Sequence, residues 1–455
     1  MSRGEGATIV RHASTVLVGQ LAVMAFGITD TLVAGRFADT ALAALSVGSA
    51  TYITVHITLM GMLQALLPVW AELHGAGRLK AVGKSLRQAL YLCAFTMVIG
   101  MVALFFPGPL LNWTQVPAAL QHEVREYLAI VALGLPASLL FRMYGTLNQS
   151  LGKPKLVTWV QVGALAVKVP LSIVLVLGMP GWFKPMGLAG CAWATLVVNY
   201  LMVSLALWLL KTQDFYRPYR IWSRLEHPDW AQLKRFVQLG LPSGLAIGVE
   251  VTSFTLMSLF ISRLGVVATA SHQIVSNMAA VLYMVPLALS IASSARVSYW
   301  LGAGDSHCAR SALRTGLLCV MGMACLSAAL IGWHHEAIAA FYTASPQIAA
   351  LASTLLLWVA FYHLADCVQV FCVFTLRSYG ITVLPLLTYT LLLWGLGLGG
   401  GYAVAYSQHQ VAALGWLVPE SPISFWQTSS IALGLTALVL MNVLWRAAYK
   451  APSNT

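Results

Sequence analysis

Leu86–Phe106 reads LRQALYLCAFTMVIGMVALFF, with one charge, Arg87, in 21 residues; Ile431–Trp445, IALGLTALVLMNVLW, has none. Wound as an α-helix at 1.5 Å per residue, the first run is about 30 Å long, the thickness of a bilayer's hydrocarbon core. Composition extends this reading to the whole chain. Of 455 residues, 59% are hydrophobic and 9% charged, with a mean hydropathy of +0.79. Soluble domains carry about 25% charged residues, so this chain has too little polar surface to face water and belongs in lipid.

Apolar windows of about 20 residues, broken by charge or by Gly and Pro, predict twelve spans. They run 13–37, 42–71, 86–106, 124–146, 156–178, 187–210, 236–261, 274–300, 312–333, 348–376, 382–406 and 425–445. The net charge of +12 would suggest nucleic acid in a soluble protein. Here the basic residues gather in alternate connections, including Arg78–Arg87, Lys211–Arg235, Arg296–Arg314, Arg377 and Arg446. The opposite side holds little more than Arg36, Arg125, Lys184 and Arg263. That asymmetry predicts both termini in the cytoplasm, an even number of spans and no nucleic-acid partner. The first helix reads as retained, because its apolar stretch is too long for a leader and lacks a small-residue cleavage site.

The seven cysteines have neither metal-ligand nor redox spacing and read as packing residues. Walker A, HExxH, GxSxG and paired CxxC patterns are absent, which argues against an enzyme, ATP hydrolysis and cofactors. Energy must then come from an ion gradient or a partner.

The second half repeats the first. Gly75-Ala76-Gly77 falls on Gly302-Ala303-Gly304 at an offset of 227, and Arg36 and Ala41 fall on Arg263 and Ala268 at the same offset. Ser150 and Gly152 fall on Ser378 and Gly380 one residue later. The expected fold is an all-α integral membrane protein, with twelve transmembrane helices in two pseudo-twofold-related six-helix bundles. Residues 1–212 form an N-lobe, 213–232 a basic cytoplasmic linker and 233–455 a C-lobe.

Ionisable groups inside spans carry the chemistry, because a charge at mid-bilayer costs at least about 2.5 kcal/mol and demands a partner or a use. Asp30 and Lys168 lie in the first and fifth spans, and Asp30 is the one good partner for that lysine in its lobe. Glu250 and Asp366 lie in the seventh and tenth. Facing a common cavity, two acids bind Na+ through oxygen ligands or share a proton. His363, three residues before Asp366, reads either as a hydrogen-bonded packing residue or as a proton relay, and His56 and His272 read as packing residues. Pro136, Pro170, Pro242, Pro286 and Pro385, with the glycines from Gly395 to Gly401, read either as cavity-facing breaks or as packing features.

Several of these segments resemble the NorM branch of the multidrug and toxic compound extrusion family. The resemblance is carried by Gln238-Leu239-Gly240-Leu241-Pro242, Glu250-Val251, Ala270-Ser271-His272-Gln273-Ile274 and Arg296-Val297 in the second half. Asp30-Thr31, Gly190-Cys191-Ala192, Asp366-Cys367-Val368-Gln369-Val370 and Leu376-Arg377-Ser378-Tyr379-Gly380 extend it over nearly the whole chain. It implies a monomeric inner-membrane antiporter that expels cationic aromatic small molecules in exchange for Na+ or H+. By motif position Glu250 and Asp366 match the C-lobe acids of cation coupling, with Tyr362 and Tyr283 in their neighbourhood. Asp30 matches the N-lobe acid and Thr195 a threonine near it. Where the family carries asparagines in its fifth span, this chain has Lys168 and Ser172. Lys168 is then either a built-in counter-ion or half of a proton-exchanging pair with Asp30. The rival readings are a lipid-linked precursor flippase, against which the central acids argue, and a membrane-embedded sensor or enzyme, which a duplicated unit disfavours.

Overall fold

A computed structural model describes residues 2–108, 118–179, 184–406 and 421–450. Its helices are α1 (Ser2–Phe37), α2 (Asp39–Gln64), α3 (Leu67–Gly75), α4 (Leu79–Phe105), α5 (Ala118–Ser150), α6 (Lys155–Leu177) and α7 (Leu188–Thr212). They continue as α8 (Trp230–Ser262), α9 (Val266–Gly302), α10 (Ser306–Tyr342), α11 (Pro346–Ser378), α12 (Val383–Thr388), α13 (Gly400–Tyr406) and α14 (Pro422–Lys450). A π-helical stretch, Tyr389–Gly399, joins α12 to α13. With α2–α3 and α12–α13 each counted as one span, twelve helices among the described residues are long and apolar enough to cross a bilayer.

The helices overrun their apolar runs because polar end turns continue the winding into water. α10 begins at Ser306, ahead of the apolar run from 312, and the Asp305 carboxylate caps it by accepting from the Cys308 amide at 2.8 Å. Proline acts in two ways. Pro68 sits in the first turn of α3, where its missing N–H costs nothing, and α2 has ended just before it. Pro136, Pro170, Pro242 and Pro286 instead lie inside α5, α6, α8 and α9, which continue through them.

The chain forms two compact units. One comprises Thr15–Gly244, the other Leu245–Thr455 with Met1–Ser14; they are called the N-lobe and C-lobe units below. The core of the N-lobe unit gathers Leu63, Leu66, Trp70, Leu128, Leu135 and Leu139. The core of the C-lobe unit includes Leu355, Val359, Phe425 and Trp426. In the C-lobe unit Glu5 accepts from Arg296 Nε and from Trp300 Nε1, both at 3.0 Å.

The repeat is visible as turn geometry. Gly77 and Gly304 follow α3 and α9 with φ of 69° and 76°, a left-handed conformation that glycine adopts without a Cβ penalty. The Arg78 amide bonds the Leu73 carbonyl and the Asp305 amide the Trp300 carbonyl, both at 3.0 Å. Gly152 and Gly380, with φ of 68° and 72°, end α5 and α11 in the same way.

The basic connection after α7 is not a loose tether. Asp214–Tyr219 forms a 3-10 turn, and the segment beyond it is strapped to α4. Arg87 donates to both carboxylate oxygens of Glu226 and to the Arg220 carbonyl. Gln88 donates to the His227 carbonyl at 3.0 Å and accepts from the Asp229 amide at 2.9 Å. Tyr91 donates to the Glu226 carbonyl at 2.9 Å. Gly83 makes the close approach of the segment possible, since a Cβ there would lie 1.9 Å from the Tyr219 carbonyl oxygen. The Arg87 guanidinium holds the Glu226 carboxyl down to about 2.

Candidate functional site

The N-lobe unit pairs its two buried charges. Lys168, fully buried on α6, places Nζ 2.8 Å from Asp30 Oδ1 on α1. It also donates to Thr195 Oγ1 at 2.7 Å and to the Cys191 carbonyl at 3.2 Å, both on α7. An ammonium has three N–H groups, and all three are used. Ser172, one turn beyond Lys168, donates to Asp30 Oδ1 at 3.3 Å, and Thr195 lies 3.4 Å from Oδ2. Asp30, which by motif position matches the family's N-lobe acid, is thus enclosed by a resident cation and two hydroxyls.

The C-lobe unit brings its two acids onto one nitrogen. Gln369 Nε2 donates to Glu250 Oε1 at 3.1 Å and to Asp366 Oδ1 at 3.0 Å. Asp366 and Gln369 are three residues apart on α11 and so share a face, with Glu250 meeting them from α8. The Tyr389 hydroxyl, at the start of the π-helical stretch, donates to Gln369 Oε1. That bond fixes the amide so that its NH2 faces the carboxylates. Tyr283 on α9 and Tyr362 on α11 both lie within electrostatic reach of the two acids. Tyr362 packs edge-on against Trp426 with ring centroids 5.4 Å apart, and Trp426 meets Phe254 at 5.9 Å. The acids therefore adjoin a set of aromatic rings.

The histidines have other partners. His363 Nε2 sits 2.9 Å from the Ser327 hydroxyl. His272 accepts from Trp426 Nε1 at Nδ1 and meets Ser258 and Ser276 at Nε2, while His56 stacks on Tyr52. Sequence reasoning missed Gln369 and Tyr389 as members of the acid site. A glutamine three residues from Asp366, on the same face, was the one available signal. Arg377 reads as a connection residue, yet it lies in the last turn of α11 and is 4% exposed.

Comparison with known proteins places this arrangement. The MatE family model matches residues 16–174 and again 242–403, two segments that begin 242 − 16 = 226 residues apart, close to the offset of the internal repeat. The chain is 36% identical over 446 residues to the probable multidrug resistance protein NorM of Aromatoleum aromaticum, covering 98% of this chain and 95% of that protein. It is 32% identical over 441 residues to the multidrug resistance protein PmpM of Pseudomonas aeruginosa, covering 96% and 90%. The fold matches that of the Vibrio cholerae MATE transporter VcmN in the bent form at a TM-score of 0.85, with 15% identity and 99% and 98% of the two chains covered. Twelve helices among the described residues long and apolar enough to cross a bilayer, a family model met twice and full-length similarity above 30% agree: this chain belongs to the MatE family of membrane transporters.

Proposed function

We propose that this transporter expels cationic aromatic molecules from the cytoplasm in exchange for Na+ or H+ by alternating access, with Glu250 and Asp366 as the groups both cations use. The observation that carries this reading is the single Gln369 nitrogen shared by both carboxylates. Two carboxylates held that close repel each other until a proton or cation joins them. An inorganic cation and an organic one both relieve that repulsion, so each displaces the other, which is the linkage that exchange requires. Tyr362 and its Trp426 and Phe254 neighbours supply ring faces for a flat cation. The similarity to multidrug resistance proteins supports the same substrate class. In the N-lobe unit Lys168 serves as a built-in counter-ion to Asp30. Inner-membrane residence with both termini cytoplasmic, and action as a monomer, complete the reading.

The test is ethidium efflux from proteoliposomes under a Na+ gradient and then a proton gradient, each imposed alone. Glu250→Gln, Asp366→Asn and the double variant should insert normally and lose gradient-driven efflux. Full efflux by the double variant overturns the assignment. The gradient that fails to drive the wild type is not the coupling ion's.

A further inference from the structure

Arg377 shares a helix face with the acid site. Positions 366, 369, 373 and 377 recur at helical spacing, so Asp366, Gln369 and Arg377 lie along one side of α11. Eight residues, about 12 Å of rise, separate Gln369 from Arg377. A helical side chain leans back toward the N-terminus, which shortens that gap. The Arg377 Cζ atom sits 4.3 Å from the Phe374 ring centroid. Its Nε, Nη1 and Nη2 are all buried, and none has a hydrogen-bond acceptor among the described residues. Among the described residues, the ionisable groups within its electrostatic reach are Glu250 of α8, Tyr283 of α9 and Tyr389 of the π-helical stretch. Glu250 is tied to that face through Gln369 Nε2, which also bonds Asp366. A buried guanidinium without a hydrogen-bonded partner is costly, and the available compensation is Glu250, reaching in from α8, with Asp366 farther along the same face of α11.

The fold itself does not require a cation here. The turn that ends α5 has the same hydrogen bonds as the turn that ends α11: the Gly152 amide bonds the Gln149 carbonyl and the Gly380 amide the Arg377 carbonyl. Gln149, neutral, occupies in the first half the position that Arg377 holds in the second. The positive charge is thus particular to the lobe unit whose two acids share one amide.

We propose that Arg377 is the resident counter-ion of the Glu250–Asp366 site, a positive charge fixed in the protein against which every incoming cation competes. It sets how tightly the acids hold a ligand and at which pH they release it, and acts on transport through those acids. The inference rests on the reading of Glu250 and Asp366 as the cation site.

Ethidium binding to the purified transporter, followed by fluorescence across pH, tests it. Well above the midpoint of the pH profile, Arg377→Gln should bind ethidium about tenfold more tightly, the size expected for removing one charge at such a distance. Its binding midpoint should also move toward the alkaline side by about one pH unit. Arg377→Lys keeps the charge and should stay within about twofold of the wild type. A Gln variant that matches the wild type in affinity and midpoint, or a Lys variant that behaves like Gln, overturns the proposal. Should the Gln variant not accumulate in the membrane, Arg377→His, neutral at alkaline pH, makes the same comparison. Glu250→Gln and Asp366→Asn separate the two failures. If they abolish binding while Arg377→Gln changes nothing, the counter-ion role falls alone; if they too bind like the wild type, the acid-site reading falls with it.

Discussion

Lys168 Nζ lies 2.8 Å from Asp30 Oδ1, with the lysine wholly buried and the aspartate 7% exposed. Removing one member of such a pair leaves an uncompensated charge, which typically costs about 3–5 kcal/mol, whereas replacing both by apolar groups is often neutral. Lys168→Met should therefore lower the melting temperature in detergent sharply, and Lys168→Met with Asp30→Leu should recover most of the loss. Equal melting of the single and double variants would remove the pair from the stability of the N-lobe unit. Efflux by a stable double variant would also decide between the two roles of Lys168: a counter-ion is dispensable together with its acid, and a proton-exchanging pair is not.

Gln369 holds both C-lobe acids and is itself held by Tyr389. Hydrogen bonds to charged groups contribute about 1.5–3 kcal/mol each, so Gln369→Leu should slow the initial rate of ethidium efflux about tenfold or more. Tyr389→Phe keeps the amide but frees it to turn, and its effect should be smaller. If Tyr389→Phe is the more damaging change, the tyrosine acts on transport directly and not through Gln369.

Gly83 and Gly163 form a matched pair of probes. A Cβ at Gly83 meets the Tyr219 carbonyl oxygen at 1.9 Å, and one at Gly163 meets nothing within 4 Å. Gly83→Ala must push the connection off α4, costing roughly 1–3 kcal/mol as an overpacking change. Gly163→Ala should be neutral or slightly stabilising, as expected for alanine in place of glycine in a helix. Thermal unfolding of the two variants side by side checks the difference.

Acid should open the strap late. The Glu226 carboxyl is held at about 2 by Arg87, below the ordinary glutamate value of 4.5. A depressed folded-state value stabilises above the unfolded one, and that contribution is lost as pH falls through the folded one. The strap should stay closed at pH 4 and open toward pH 2. Pepsin cleavage near Trp222 and Leu225 reads this out: Glu226→Gln should be cut as readily at pH 4 as at pH 2, and the wild type only at pH 2 once protease activity is normalised. Equal cutting of both proteins at pH 4 would show that the ion pair does not close the strap.

The twelve spans were legible because a helix that faces lipid is written in long apolar runs, and the charges inside them stood out for the same reason. Asp30, Lys168, Glu250 and Asp366 are such charges. Gln369 and Tyr389 were not legible as site residues, since a glutamine or tyrosine in a span breaks no strong rule. Arg377 escaped because, one residue from the end of α11, its charge counts with the connections until its side chain is seen to turn inward. Arg87 misled in the opposite direction. It reads as an end charge of its span, yet it anchors a segment more than a hundred residues away.

The π-helical winding of Tyr389–Gly399 closes its hydrogen bonds one residue later than an α-helix does. Such a stretch carries surplus residues, and loss of one there can be absorbed by local rewinding into α form. The same deletion in the middle of α11 has no such reserve. Each residue turns an α-helix by about 100°, so a deletion between Gln369 and Arg377 would swing the guanidinium around the barrel of the helix, away from the acids. Among the described residues of the C-lobe unit, single-codon deletions should therefore be tolerated in the glycine-rich stretch and eliminated from α11.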